Sequence, residues 1–225
     1  MSARFGFRRH RDLIAAHGPL RVVNWHTTPA DGARALKQRL QDLQRRWDAL
    51  DLAGLDGLFD GEQRSRPAFV PVFYEGYAEH VTVAAEVCAD LGIAGWFAVC
   101  TGFVSCPEPE QETFARSHWI ALGPHQQDGA RLAMTWDEAA ELARDHVVFP
   151  HTASHDGIAE TVADEDLRRE VVEPKQLMDA RCGQDSAAFA WMGGTPWGAS
   201  ERHDAAVAGA GYRYVLSNTM VQRLK

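Results

Sequence analysis

The sequence predicts an α/β fold in which parallel strands are covered by helices. Three observations lead there. Short apolar runs alternate with helix-like stretches along the 225 residues. The strand-like runs hold apolar stretches of the kind that strands in the middle of a parallel sheet have. Three clusters of polar residues directly follow such runs, where parallel α/β folds bind their ligands.

The first strand is "RVVNWH" (21–26), followed by an amphipathic helix over 32–50 in which Leu36, Leu40, Leu43 and Trp47 recur at helical spacing. "AFVPVFY" (68–74) is the second strand. A helix over 79–91 comes next, with Gly92 as its C-terminal cap. "GWFAVCTGF" (95–103) is the third strand, and a polar surface insertion occupies 104–133. Thr135, with Glu138 three residues on, forms a capping box at the head of a helix over 135–145. "VVFPH" (147–151) is a strand and 164–181 a helix. "AAFAWM" (187–192) and "YRYVLSN" (212–218) are strands flanking a helix at 201–209. That makes six strands, fewer than a complete eight-stranded barrel needs.

No repeat or linker divides the chain, so residues 1–225 are read as a single domain preceded by a basic arm, 1–19. A hydrophobic content of 45% supplies a core. A net charge of −8 argues against nucleic acid as the main partner. No window approaches the ~18 uninterrupted apolar residues of a membrane span, and the arm lacks the apolar centre of a secretory signal. A cytoplasmic address is expected. Cys88, Cys100, Cys106 and Cys182 form no CxxC pair and are read as reduced thiols, a Cys100–Cys106 disulfide being an option only in an oxidising compartment.

The polar clusters are "FYEGY" after the second strand, "PHTASH" after 147–150 and "WMGGTPWG" after 187–192. His151 and His155 are four apart, which on a helical turn would place both imidazoles on one side. Glu75 at a strand end, followed by Gly76, is the natural third ligand of a divalent ion. The alternative is that the histidines are solvated loop residues. His26, closing the first strand, is a candidate acid or base, and His80 and Asp156 are weaker ones. Trp191 and Trp197 sit where a sugar could stack, with Trp25 and Trp96 near the same rim.

These residues resemble the NodB-type polysaccharide deacetylases (carbohydrate esterase family 4). "VFYEGYAEHVTVAAEVCADLGIAGWFAVCTGFV" resembles that family's first motif, TFDDGY, with the helix and strand after it. "MTWDEAAELARDHVVFPHTASH" resembles the approach to the second, H-S/T-x-x-H, which is present as His151, Thr152 and His155. "FAWMGGTPWG" and "DAAVAGAGYRYVLSN" resemble the third motif and the helix-to-strand passage beyond it, and "RVVNWHTT" resembles the opening strand of the branch acting on poly-N-acetylglucosamine. The resemblance runs from about residue 20 to near the end.

It implies a deformed, incomplete (β/α) barrel holding one divalent metal ion on Glu75, His151 and His155: zinc first, with nickel, cobalt or iron as alternatives. Glu stands where the family has Asp, which lengthens the reach by one methylene, about 1 Å. The family's general base falls on Tyr74, a phenol with an ordinary pKa of ~10 that is a better hydrogen-bond donor than base. The base's Arg partner falls on Ala190 or Gly194, and no Leu-x-His segment follows "YRYVLSN" before Lys225. The expectation is a divergent metal-dependent hydrolase of an N-acyl C–N bond in a soluble small molecule or amino sugar, with Tyr74, Glu75 and His26 in its chemistry. The same ligands would also suit a non-hydrolytic Fe(II)-type enzyme, and the missing base and Arg a binding protein without turnover. The sequence leaves the oligomeric state open.

Overall fold

The computed structural model describes residues 20–126 and 131–224. The basic arm, 1–19, lies outside the described residues, as do 127–130 of the insertion. In chain order, strand β1 (Leu20–Trp25) leads to helix α1 (Ala33–Gln44), strand β2 (Asp48–Ala49) and helix α2 (Leu52–Phe59). Strand β3 (Ala68–Glu75) precedes helix α3 (80–90), which is π-helical over His80–Ala85 and α-helical over Glu86–Asp90. Strand β4 (Trp96–Val99) is followed by helices α4 (Thr101–Ser105), α5 (Gln111–Ser117) and α6 (Trp136–Leu142), then strand β5 (Val147–Pro150). Helix α7 (164–182) carries a second π segment at Arg168–Val172. Strand β6 (Ala188–Ala190), helix α8 (Glu201–Gly209) and strands β7 (Tyr214–Leu216) and β8 (Val221–Arg223) complete the order.

β1, β3, β4 and β5 lie side by side in that order and all parallel, and β2 pairs with the first two residues of β3. β6 and β7 are parallel, with β8 antiparallel to β7. Single hydrogen bonds join the two sheets where a closed barrel would have ladders. The Val22 N–H donates to the Thr219 carbonyl (3.3 Å) and Asn24 Nδ2 to the Asn218 carbonyl (2.9 Å). At the other seam, the His151 imidazole bridges to the Ala190 carbonyl (2.9 Å). The fold is an incomplete (β/α) barrel.

All eight residues of β3 are buried, as a central parallel strand requires. Ala68, Val70, Val72 and Tyr74 point into the barrel, against Trp96, Ala98, Phe149, Ala188, Ala190, Tyr214 and Leu216. Phe69 and Phe73 point the other way and meet Leu36, Leu40, Val83, Ala84 and Val87 of the covering helices. A third cluster packs α7 and α8 on the smaller sheet through Leu167, Val171, Phe189, Val207 and Val215.

The two extra strands, β2 and β8, raise the count from six to eight. β2 exists because α1 stops at Gln44 rather than running to residue 50. The chain turns at Arg46 and Trp47, whose N–H groups both reach the Leu43 carbonyl, and the Asp48 N–H bonds Pro67 beside β3. The run 95–103 also divides: β4 ends at Val99 and Thr101–Ser105 is helical, an ambiguity inherent in short apolar runs. The Thr135–Glu138 capping box forms as predicted. All four cysteines are free. Among the described residues no helix is long and apolar enough to cross a membrane.

Candidate metal centre

Strand alternation would send the Glu75 side chain outward with Phe73, toward the helices. Instead Glu75 has φ +78° and Gly76 φ +89°. The left-handed turn at the end of β3 swings the carboxylate into the barrel mouth, beside Tyr74. A non-glycine residue held there costs on the order of 1–3 kcal/mol, and such strain concentrates at functional sites.

β5 delivers the histidines. The His151 N–H extends the ladder by bonding the Val99 carbonyl (2.8 Å), and the chain then leaves the sheet. The segment from His151 to His155 is not the helical turn that the spacing of four invited. Thr152 (φ +60°) and His155 (φ +58°) are both left-handed, and these two bends bring the imidazoles together. The start of α4 anchors the loop: the Thr101 N–H donates to the Thr152 carbonyl (3.1 Å) and the Gly102 N–H to Ala153 (2.8 Å). A Cβ at Gly102 would stand 2.4 Å from the Ala153 oxygen, so only glycine permits this approach. From the other side Glu170, fully buried in the π segment of α7, accepts the N–H groups of Ala153 (3.0 Å) and Ser154 (2.7 Å). Arg169 pairs with its second oxygen (2.9 Å).

Each histidine has one ring nitrogen committed. His151 Nδ1 lies 2.9 Å from the Ala190 carbonyl, and His155 Nδ1 lies 2.7 Å from that of His118. A carbonyl only accepts, so both Nδ1 atoms carry a proton, which makes Nε2 the lone-pair nitrogen of each ring in its neutral form. His155 Nε2 is 3.4 Å and His151 Nε2 4.0 Å from Glu75 Oε1, and the three candidate ligand atoms lie within 4.8 Å of one another. Zinc bonds of about 2.1 Å imply ligand-to-ligand edges of roughly 3.4 Å. Two imidazoles and one carboxylate, all buried and oriented from behind, fit a divalent ion.

Electrostatics agree with that donor set. Burial would raise the Glu75 carboxyl pKa, but the imidazoles of His155, His26 and His151 hold it down at about 2. Burial, with His155 alongside, lowers His151 to about 4, so it is neutral at physiological pH, as a ligand must be.

His26, expected at the rim, does reach the centre. Its Nδ1 is 3.0 and 2.9 Å from the two Glu75 oxygens, while much of its ring faces solvent. The bond to Glu75 raises its pKa against the opposing effect of burial. Tyr74 lies between the rings of His26 (5.7 Å between centroids) and His151 (5.0 Å). Its hydroxyl is buried without a hydrogen-bond partner. Burial, reinforced by the Glu75 charge, pushes its pKa above the usual phenol range, so it holds its proton and is no base.

Other candidates fall further out. His80 is buried beneath the site, with Nε2 donating to the His26 carbonyl (2.6 Å) and its ring against Phe73, Tyr77 and Phe97. Asp156 follows His155 on the loop, its carboxyl pKa raised by burial and then by Glu170 and Glu160. Trp191 is a correction: it is 2% exposed and packed edge-on against Phe189 and His203, so it offers no face to a sugar. Trp96 is likewise core, bonded to the Leu50 carbonyl (2.7 Å), and Trp25 stacks on Phe73 outside the barrel. Trp197 is partly buried against the third cluster, with its main chain tied to Gln222. Ala190 contributes a backbone carbonyl to His151, not a side chain to Tyr74.

Sequence reading missed Glu170 and the carbonyls of His118 and Ala190. Glu170 is one of several acids in its helix, and nothing in the sequence singles it out. Main-chain acceptors leave no signal either.

The sequence matches no protein-family model and no curated protein. Its fold does match solved structures. IcaB from Ammonifex degensii is 16% identical with a TM-score of 0.67, over 88% of this chain and 82% of that one. A de-N-acetylase from Aggregatibacter actinomycetemcomitans is 13% identical with a TM-score of 0.65, over 91% and 90%. The deacetylase domain of BpsB from Bordetella bronchiseptica is 17% identical with a TM-score of 0.64, over 88% and 88%. At such identities the likeness is one of fold, and this chain has the incomplete (β/α) barrel of the deacetylases it resembles.

Proposed function

We propose that the protein is a divergent NodB-type deacetylase: a divalent-metal-dependent hydrolase that splits an N-acyl C–N bond with water, giving a carboxylic acid and a free amine. One observation carries this reading. Glu75, His151 and His155 converge, buried and with their candidate ligand atoms within 4.8 Å of one another, at the mouth of a fold whose solved examples include deacetylases. The substrate class is a soluble small molecule or amino sugar. Zinc is the first choice of metal, with nickel, cobalt and iron next. Four unpaired thiols suit the reducing cytoplasm, where we place the protein.

Glu75, His151 and His155 would hold the ion. When bound, such an ion polarises a carbonyl and brings the pKa of a water molecule down to about 7, which lessens the need for a strong protein base. Tyr74 keeps its proton and has no protein acceptor, so its hydroxyl is available to an oxygen that gains negative charge. His26, bonded to Glu75 and open to solvent, is placed to carry a proton between the site and bulk water or to the departing amine. Metal analysis of the purified protein, followed by assay on N-acetylated amino sugars before and after chelation, tests the proposal. It fails if chelation leaves the hydrolytic rate unchanged.

One feature favours a second reading, ligand binding without turnover: a phenol stands where the resembling family has its base. That reading expects saturable binding of acylated sugars with no acid released. Iron at near stoichiometry, with oxygen consumption, would instead indicate non-hydrolytic chemistry on the same ligands.

A further inference from the structure

Helix α5 ends in a turn closed by the 6→1 back-bond of the Schellman type. The His118 N–H donates to the Phe114 carbonyl (3.0 Å), and the Ile120 N–H reaches back to Ala115 (2.9 Å), with both Ile120 and Ala115 buried in the core. The residue between them must adopt the left-handed conformation, and glycine is the usual occupant. Here it is Trp119, at φ +58°. The backbone therefore disfavours this side chain, and packing does not compensate, because Trp119 is 84% exposed. Of the described residues it and Val162 are the large apolar side chains left most open to solvent.

Its position is fixed on both sides. Ile120 is buried, and the His118 ring stacks on Phe114 with centroids 4.0 Å apart. The His118 carbonyl accepts the bond from His155 Nδ1 (2.7 Å). Covalent geometry on either side of that bond limits the Trp119 Cα to at most about 8 Å from His155 Nε2. An indole kept in solvent against its backbone preference, one residue from a group that orients the candidate metal centre, is placed to serve as a ligand platform.

We propose that Trp119 is a substrate-positioning residue, on which a pyranose ring adjacent to the reacting one stacks. This deepens the hydrolase reading and rests on it for the identity of the ligand. Stacking engages the apolar C–H face of the sugar and the flat face of the indole, and favours a substrate of more than one ring.

The test compares the wild-type protein with Trp119→Gly and Trp119→Phe, using chitotriose and N-acetylglucosamine as probes. Binding is measured by calorimetry on the metal-loaded protein and on a His151→Ala background, alongside KM, kcat and thermal midpoint. In wild type the trimer binds more tightly than the monomer. Trp119→Gly weakens the trimer by about tenfold, mainly in KM. Trp119→Phe retains most of the preference. The thermal midpoint of Trp119→Gly stays level or rises, because glycine accepts the left-handed turn. A wild type that binds the trimer no more tightly than the monomer overturns the proposal. So does a Trp119→Gly variant that keeps the preference, or loses affinity for both probes together with thermal stability. Trimer binding that depends on Trp119 without any hydrolysis upholds the platform and removes the hydrolase reading. Hydrolysis indifferent to Trp119→Gly does the reverse.

Discussion

Two sides of the barrel mouth differ in how completely their polar groups are satisfied. On the side of Glu75, His151 and His155, each imidazole has one nitrogen bonded to a carbonyl, and Glu170 clamps the loop between them. On the side of Tyr74, a buried hydroxyl has no hydrogen-bond partner among the described residues. The first side is organised from behind to present three donor atoms; the second lacks an acceptor from within the protein. Secondary contacts thus define a place for a cation, while the group beside it is a phenol that keeps its proton. The difference teaches that the two sides are built independently, so under the proposed function variants on them should fail differently.

The largest effect is expected on the organised side. His151→Ala removes a ligand, and bound metal should fall from about one equivalent to near none, with hydrolysis abolished, as elemental analysis and a rate assay would show. Tyr74→Phe comes next and should behave oppositely. Metal content stays at the wild-type level, kcat falls about 100-fold if the hydroxyl donates to the reacting oxygen, and stability rises by about 1 kcal/mol as an unsatisfied polar group is removed. An unchanged kcat in that variant would make Tyr74 a bystander and sharpen the contrast between the two sides.

Glu170→Ala strips the acceptor from the Ala153 and Ser154 N–H groups without touching a ligand atom. Metal affinity should drop about 10- to 100-fold in a calorimetric titration, as for other outer-shell partners. If affinity is unaffected, the loop does not depend on its clamp. The smallest effect is remote: Thr135→Ala opens the capping box of α6 and should cost about 1 kcal/mol in a denaturant melt, leaving metal affinity unchanged.

What could be read from the sequence follows from which forces act locally. The buried run 68–74, the capping box at Thr135 and the helix periodicity of Leu36 and Leu40 depend on neighbours in the chain, and all were legible. So was the meeting of three strand ends at one rim, because parallel topology enforces it. The route by which the site forms was not. The spacing of His151 and His155 implied a helical turn, whereas the structure uses left-handed bends at Thr152 and His155 that no side-chain pattern marks. The swing of Glu75 reverses the alternation that any strand reading assumes. Trp191 was expected at the rim from its position after β6, but the third cluster buries it, since α8 packs across that face. Trp119, the indole that does face solvent, lay inside a polar insertion where nothing around it indicated a helix end.

Anomalous diffraction at the zinc, nickel and iron edges tests the central claim most directly. The account predicts a single peak bonded to the Glu75 carboxylate and to Nε2 of His151 and His155 at about 2.0–2.2 Å. Finding those three side chains apart, or no peak between them after soaking with each metal in excess, would contradict it.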